Sequence, residues 1–193
     1  MRGLGDFREV GQAAKDIGIL HHDAAGVPVD PRNQPVVVGP GGQARRGAGD
    51  LVIGTCGFVT KLKHIVALRP NGNKMEEVWR IEKSVPHIPT PLLLGKNLFL
   101  WNDLGIVSCV DVASGKTHWS ERAIRSGKFF GSPVAADGKI YCAEARGKIV
   151  VLRGDGVFEV LAENNLGERC HSTPAIANGV MYVRTYQTLY SIS

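Results

Sequence analysis

The stretch Pro86–Trp119, PHIPTPLLLGKNLFLWNDLGIVSCVDVASGKTHW, decides the fold. Pro89–Leu94 predicts a short strand that starts at a proline-rich corner. Gly95-Lys96-Asn97 reads as a turn, and Leu98–Trp101 as a second strand. Asn102-Asp103-Leu104-Gly105 turns the chain again before a third strand, Ile106–Asp111. Ala113-Ser114-Gly115-Lys116 makes another turn, and Thr117-His118-Trp119 opens a fourth strand. Four short strands joined by tight turns in about forty residues is the pattern of one blade of a β-propeller.

The same unit recurs. Thr90-Pro91, Ser132-Pro133 and Thr173-Pro174 each begin a strand, at a spacing of about forty-one residues. A turn and an aromatic-bearing strand follow each time: Gly95-Lys96-Asn97 before Phe99, Asp137-Gly138 before Tyr141, Asn178-Gly179 before Tyr182. Asp-Gly and Asn-Gly favour the positive-φ turns that join antiparallel strands. A helical repeat of similar length fails on the Gly/Pro punctuation, which recurs every ten residues or so.

Upstream, Asp50–Ile81 reads as a first blade. Leu51–Thr55, Ile65–Leu68 and Glu77–Ile81 are its strands, with Trp79 in the last. Pro70–Lys74 reads as a turn. Pro35–Val38 is the one candidate for the blade's opening strand. The remainder of Met1–Gly47 differs in character. Phe7–Leu20 has near-helical apolar spacing, and Gly39–Gly49 reads as a linker. That linker lacks the Lys-Ser/Thr of a phosphate loop.

Composition sets outer bounds. The 193 residues suffice for one domain with a sizeable core. Hydrophobic residues make up 44% and the formal net charge is +5. The charge raises an anionic partner as a possibility, but Lys and Arg are scattered and no recognition motif accompanies them, so nucleic-acid binding is not expected. Cys56, Cys109, Cys142 and Cys170 form no CxxC pair. Cys109 and Cys142 fall in strand patterns and are expected to be buried. No apolar run is long enough for a membrane helix, and the N-terminus lacks the apolar core of a signal peptide. Localisation is therefore not fixed by this chain.

At Cys109–Trp119, CVDVASGKTHW, the chain resembles the β-propeller repeats of the pyrroloquinoline quinone (PQQ)-like family. That family's docking motif runs Ala-x-Asp-x-x-Thr-Gly-x-x-x-Trp. Asp111, Ser114, Gly115 and Trp119 lie on it, with Cys for Ala and Ser for Thr. Ala67–Trp79 matches more loosely, and Val151–Val160 keeps only Gly156 and has no Trp. The resemblance covers Gly49–Ser193 and is nearest the non-enzymatic members, which include an outer-membrane assembly lipoprotein. It implies an all-β, partial propeller of about three and a half blades, spanning 49–84, 86–123, 128–163 and 169–193, behind an irregular 1–48 segment. It also implies a periplasmic or envelope setting if the chain is part of a longer one.

Physically, a blade buries both faces only against its neighbours. Trp79 and Trp119 are thus expected to fill inter-blade gaps, each with its indole N–H partnered. Trp101 has no such place in the motif. A quinoprotein dehydrogenase would need, by the same resemblance, a Cys-Cys pair over the cofactor and a calcium site. The chain has no Cys-Cys pair and no Asp-rich loop, so no catalytic residue, metal or bound PQQ is expected. His87 and His171 precede Pro-initiated inner strands and, with Cys170, are candidates for a site at the channel mouth. Exposed loop residues are the alternative for all three.

The function expected is a non-catalytic propeller module that binds or scaffolds a protein partner, or self-associates through open blade faces, as part of a larger propeller. A fragment of a quinoprotein dehydrogenase is one rival. It would show cofactor-dependent dye reduction. An electrostatic binder of an anionic polymer is the other.

Overall fold

A computed structural model describes residues 36–38, 51–56, 63–71 and 73–193. The expected helix over Phe7–Leu20 and the Gly39–Gly49 linker lie outside the described residues. Among the described residues every regular element is a strand, and the strands form four sheets in chain order.

Blade 1 comprises β1 (Val36–Val38), β2 (Val52–Cys56), β3 (His64–Asn71) and β4 (Lys74–Ile81). Blade 2 comprises β5 (Leu92–Leu94), β6 (Asn97–Trp101), β7 (Ile106–Asp111) and β8 (Thr117–Arg122). Blade 3 comprises β9 (Val134–Ala136), β10 (Lys139–Ala143), β11 (Lys148–Arg153) and β12 (Val160–Asn165). Blade 4 has three strands: β13 (Ala175–Ala177), β14 (Val180–Arg184) and β15 (Leu189–Ile192).

Several details differ from the sequence reading: Pro70, Asn71 and Lys74, read as a turn, are paired in β3 and β4, and the inner strands of blades 3 and 4 begin at Val134 and Ala175, after their prolines. The inner strand of blade 2 starts at Leu92, not Pro89, because Pro89 and Pro91 have no N–H to give a ladder. In blade 1, β1 takes the inner position but runs parallel to β2, with Val36 opposite Val52. Every other neighbouring pair is antiparallel. The Asp137-Gly138 and Asn178-Gly179 turns adopt positive φ at both residues, as the hairpin geometry requires.

The third and fourth strands of blades 1 to 3 share a register shift at one repeat position: Ala67/Leu68, Cys109/Val110 and Val151/Leu152. The shift sets Trp79 opposite Ala67 and Trp119 opposite Cys109. In blade 3 the residue so placed, opposite Val151, is Ala162.

The core lies in the seams between blades. Ile53, Ile65, Trp79, Leu98, Leu100 and Val110 close the seam between blades 1 and 2. Phe99, Trp101, Phe129, Ile140, Val150 and Leu152 form the core between blades 2 and 3. Trp101 is fully buried there, its ring centroid 5.2 Å from that of Phe129. Ala143, Ile149, Val151, Cys170 and Val183 make a smaller cluster between blades 3 and 4.

Candidate functional site

The motif residues act between blades. Trp79, at the outer strand of blade 1, donates its indole N–H to the Val112 carbonyl in the turn of blade 2, at 2.9 Å. Trp119 of blade 2 does the same to the Gly156 carbonyl of blade 3, at 2.6 Å, with its ring against Phe99 and Phe158. The receiving turn in blade 2 is held by Asp111. Its carboxylate accepts from the backbone N–H and the hydroxyl of Ser114, at 2.9 and 2.7 Å. Those bonds favour the ionised form and hold the Asp111 carboxyl below the usual range. So Asp111, Ser114 and Gly115 build a platform, and the tryptophan of the preceding blade stands on it.

The Thr/Ser-Pro dipeptides have a second task. The Thr90 N–H donates to the Ser132 hydroxyl at 3.0 Å, and the Ser132 N–H donates to the Thr173 hydroxyl at 2.9 Å. Each hydroxyl therefore ties the start of one inner strand to the next. This explains why a hydroxyl residue, and not merely a proline, recurs at that phase.

Topology then defines one face. In blades 2 to 4 the turn between second and third strands lies at the same end as the linker that leads in from the blade before. Backbone bonds join them: Phe129 to Asp103, Ala145 to Lys128, Cys170 to Ala145, Tyr186 to Arg169. Carboxylates reinforce the junctions from three different positions. Asp103 accepts from the backbone N–H groups of His87 and Ile88. Buried Glu144 accepts from those of Lys128 and Arg146. Glu168 accepts from the hydroxyls of Thr185 and Thr188, both at 2.7 Å, which lower its pKa.

The candidate channel-mouth residues are not brought into one set. His87 is largely buried, with Nδ1 3.3 Å from Asp103. Cys170 is fully buried, and its thiol lies against the Arg184 carbonyl, the Ser172 carbonyl and the Ser172 hydroxyl. His171 alone faces outward, its Nδ1 in hydrogen-bond contact with the Tyr186 hydroxyl 3.1 Å away. Among the described residues no group of three or more His, Cys, Asp or Glu could hold a metal ion.

What the face presents instead is an aromatic ledge with cations. The rings of Phe130 and His171 stand 4.5 Å apart, and those of His171 and Tyr186 5.2 Å apart. The Arg169 guanidinium lies 5.3 Å from the Tyr186 centroid. Ile88, Leu104 and Tyr186 are exposed by 41%, 58% and 56%. Around them Arg125, Lys128, Arg146 and Arg169 are exposed, and among the described residues none forms an ion pair with a carboxylate. The nearby acids are already engaged with backbone and hydroxyl groups. Sequence reasoning missed this ledge. The repeat phase was the available signal: Tyr186 and Asp103 occupy matching turn positions, as do Ile88, Phe130 and His171 in the linkers.

Four sheets in series, the first three docked through tryptophan-on-turn contacts, define a propeller of PQQ-like repeats. The profile of the family described as outer membrane protein assembly factor BamB matches residues 63–185. The chain belongs to that family. The BamB of Marinobacter adhaerens is 27% identical over 107 residues, covering 55% of this chain and 26% of that protein. The chain thus spans about a quarter of that curated relative. Among solved structures, BamB from Moraxella catarrhalis superposes with a TM-score of 0.59 at 18% identity, over 75% of this chain and 43% of that one. Quinohemoprotein alcohol dehydrogenase from Comamonas testosteroni gives 0.54 at 11% identity, over 81% and 30%. At those identities the two structures speak for the fold alone.

Proposed function

We propose that this chain is a non-catalytic scaffold that binds a protein partner in the bacterial envelope through the face built by its linkers and second turns. The observation that carries the reading is the set of uncompensated cations at Arg125, Lys128, Arg146 and Arg169 beside exposed Ile88, Leu104 and Tyr186. Exposed apolar side chains on one face with cations that no carboxylate pairs with are the mark of an interaction surface, and charge sets partner choice and encounter rate more than affinity. The membership in an assembly-factor family supports a binding role over a catalytic one.

The test compares the native protein with Lys128→Glu/Arg146→Glu in affinity capture from envelope extracts. Partners retained by the native protein and lost by the variant, with unchanged circular dichroism, support the face. Identical capture by both overturns it. The same cations suit an anionic polymer as the second reading. Retention on a polyanion column, lost with salt and equal in strength to protein capture, would favour that reading.

A further inference from the structure

The seams between blades 1 and 2 and between blades 2 and 3 correspond residue by residue, and they are filled differently. In the second seam, Ala123 and Ile124 follow Trp119 by a few residues and are both buried, 4% exposed. At the same offsets from Trp79 the first seam has Lys83 and Ser84, exposed and half-buried. The third strand of blade 3 sets Val150 into its seam, fully buried. The matching residue of blade 2 is Ser108, paired across the strands with Ser120 as Val150 is with Glu163. The Ser108 and Ser120 hydroxyls are 2.8 Å apart.

These substitutions leave a cleft of about 640 Å³ in the first seam. Leu100, Val110 and Ile81 supply apolar wall, and Ser84, Ser108, Thr117 and Ser120 supply hydroxyls. Lys83 stands at the cleft with no carboxylate in ion-pair reach among the described residues, whereas Arg80 is held by Glu77. Glu82 also lines it, so Lys83 is the lining cation that no carboxylate pairs with among the described residues. The volume is that of a small-molecule site. Ser108 and Ser120 satisfy each other, and so set a hydrogen-bonded pair of hydroxyls in the cleft wall where blade 3 has an apolar valine.

We propose that this cleft binds a small polyhydroxylated anion, a sugar acid of one or two rings. The hydroxyls exchange hydrogen bonds with the ligand's hydroxyls, Lys83 pairs with its carboxylate, and Leu100 and Val110 face its C–H surface. This inference is independent of the protein-docking face, which lies on different residues.

The experiment is titration calorimetry of the full chain with glucuronate, with glucose as the neutral control. Ser108→Val copies the filling of the second seam at a backbone position any residue can adopt, and circular dichroism and the thermal midpoint check that the fold is kept. The expected result is saturable glucuronate binding, weakened at least about tenfold in Ser108→Val and in Lys83→Ala, with glucose weaker by a similar factor. No binding at about 10 mM glucuronate, equal binding of glucose, or binding unchanged in Ser108→Val would overturn the proposal.

Discussion

Gly115 lies beneath the indole of Trp79: a β-carbon at Gly115 would stand 2.6 Å from Cγ of that ring. The turn in blade 2 and the tryptophan of blade 1 therefore specify each other. Gly115 also has φ +72°, which side-chain-bearing residues adopt at a cost. Gly115→Ala is expected to destabilise the protein by about 2–4 kcal/mol in urea unfolding. A loss under about 1 kcal/mol would show that Trp79 can shift without consequence.

Trp119 separates packing from hydrogen bonding. Trp119→Ala empties the site between Phe99 and Phe158 and is expected to cost about 3–5 kcal/mol. Trp119→Phe keeps most of the ring area but leaves the Gly156 carbonyl without its donor, at about 1 kcal/mol beyond any cavity. Equal losses for the two variants would refute the separation.

The third seam has no such peg. Ala162 occupies the tryptophan's place, and the joint relies on its small cluster, the Tyr190 hydroxyl bonded to the Leu166 carbonyl, and the Ser132–Thr173 tie. Amide exchange in β14 is therefore expected to be faster than in β6 and β10, since local opening follows local contact energy. Uniform protection across the three strands would count against this order.

The repeat phase and the docking motif were legible because they rest on local chemistry. Glycine and Asn/Asp turns fix strand ends, and a Trp twelve residues beyond Ala67 and another ten beyond Cys109 are a pattern in one dimension. The parallel setting of Val36–Val38 was not legible, since strand direction depends on a long-range approach that three valines do not encode. Cys170 and His171 are sequence neighbours, yet one is buried and the other exposed, because a lead-in segment alternates its side chains between seam and solvent. The cationic face stayed hidden for a related reason. Arg125, Lys128, Arg146 and Arg169 are scattered in sequence and meet only when linkers and turns gather at one end.

Burial controls the thiols. Desolvation pushes Cys109 up to about 11 and raises Cys142 as well, so neither supplies thiolate at neutral pH. Cys109, Cys142 and Cys170 are expected to resist iodoacetamide in the native protein and to react in urea, read by mass mapping of each peptide. Rapid native labelling of Cys142 would show that the blade 2–3 seam opens readily.

Glu168 and Asp111 make the fold acid-sensitive. Both native pKa values are lowered, first by hydrogen bonds from Thr185 and from Ser114 respectively. Their contribution is therefore complete above the ordinary carboxylate range and is lost as pH falls through the lowered native values. The thermal midpoint is expected to be level near neutrality and to drop on acidification, less steeply in Glu168→Gln. A variant with the same pH dependence as the native chain would remove Glu168 from the account.

Blade 4 carries the last prediction. Among the described residues its outer strand β15 has no fourth strand beside it, and one edge of its backbone has no strand partner there. The outer strands of the other blades are guarded: β4 carries Lys74, Glu76, Glu77 and Arg80, β8 carries Glu121 and Arg122, and β12 carries Glu163. Like them β12 is also irregular in register, which discourages edge pairing. β15 reads Leu-Tyr-Ser-Ile, without charge or proline, and Leu189 and Ile192 are 48% and 41% exposed. An unguarded apolar edge is a template for another strand. Two copies of this chain are thus expected to pair through β15, giving concentration-dependent dimers in light scattering at about micromolar levels. Ser191→Lys places one positive charge per copy at the joint, where antiparallel pairing brings the two close, and should restore the monomer. Dimers that persist undiminished in Ser191→Lys would move the contact to another surface, and a native monomer at every concentration would end the idea.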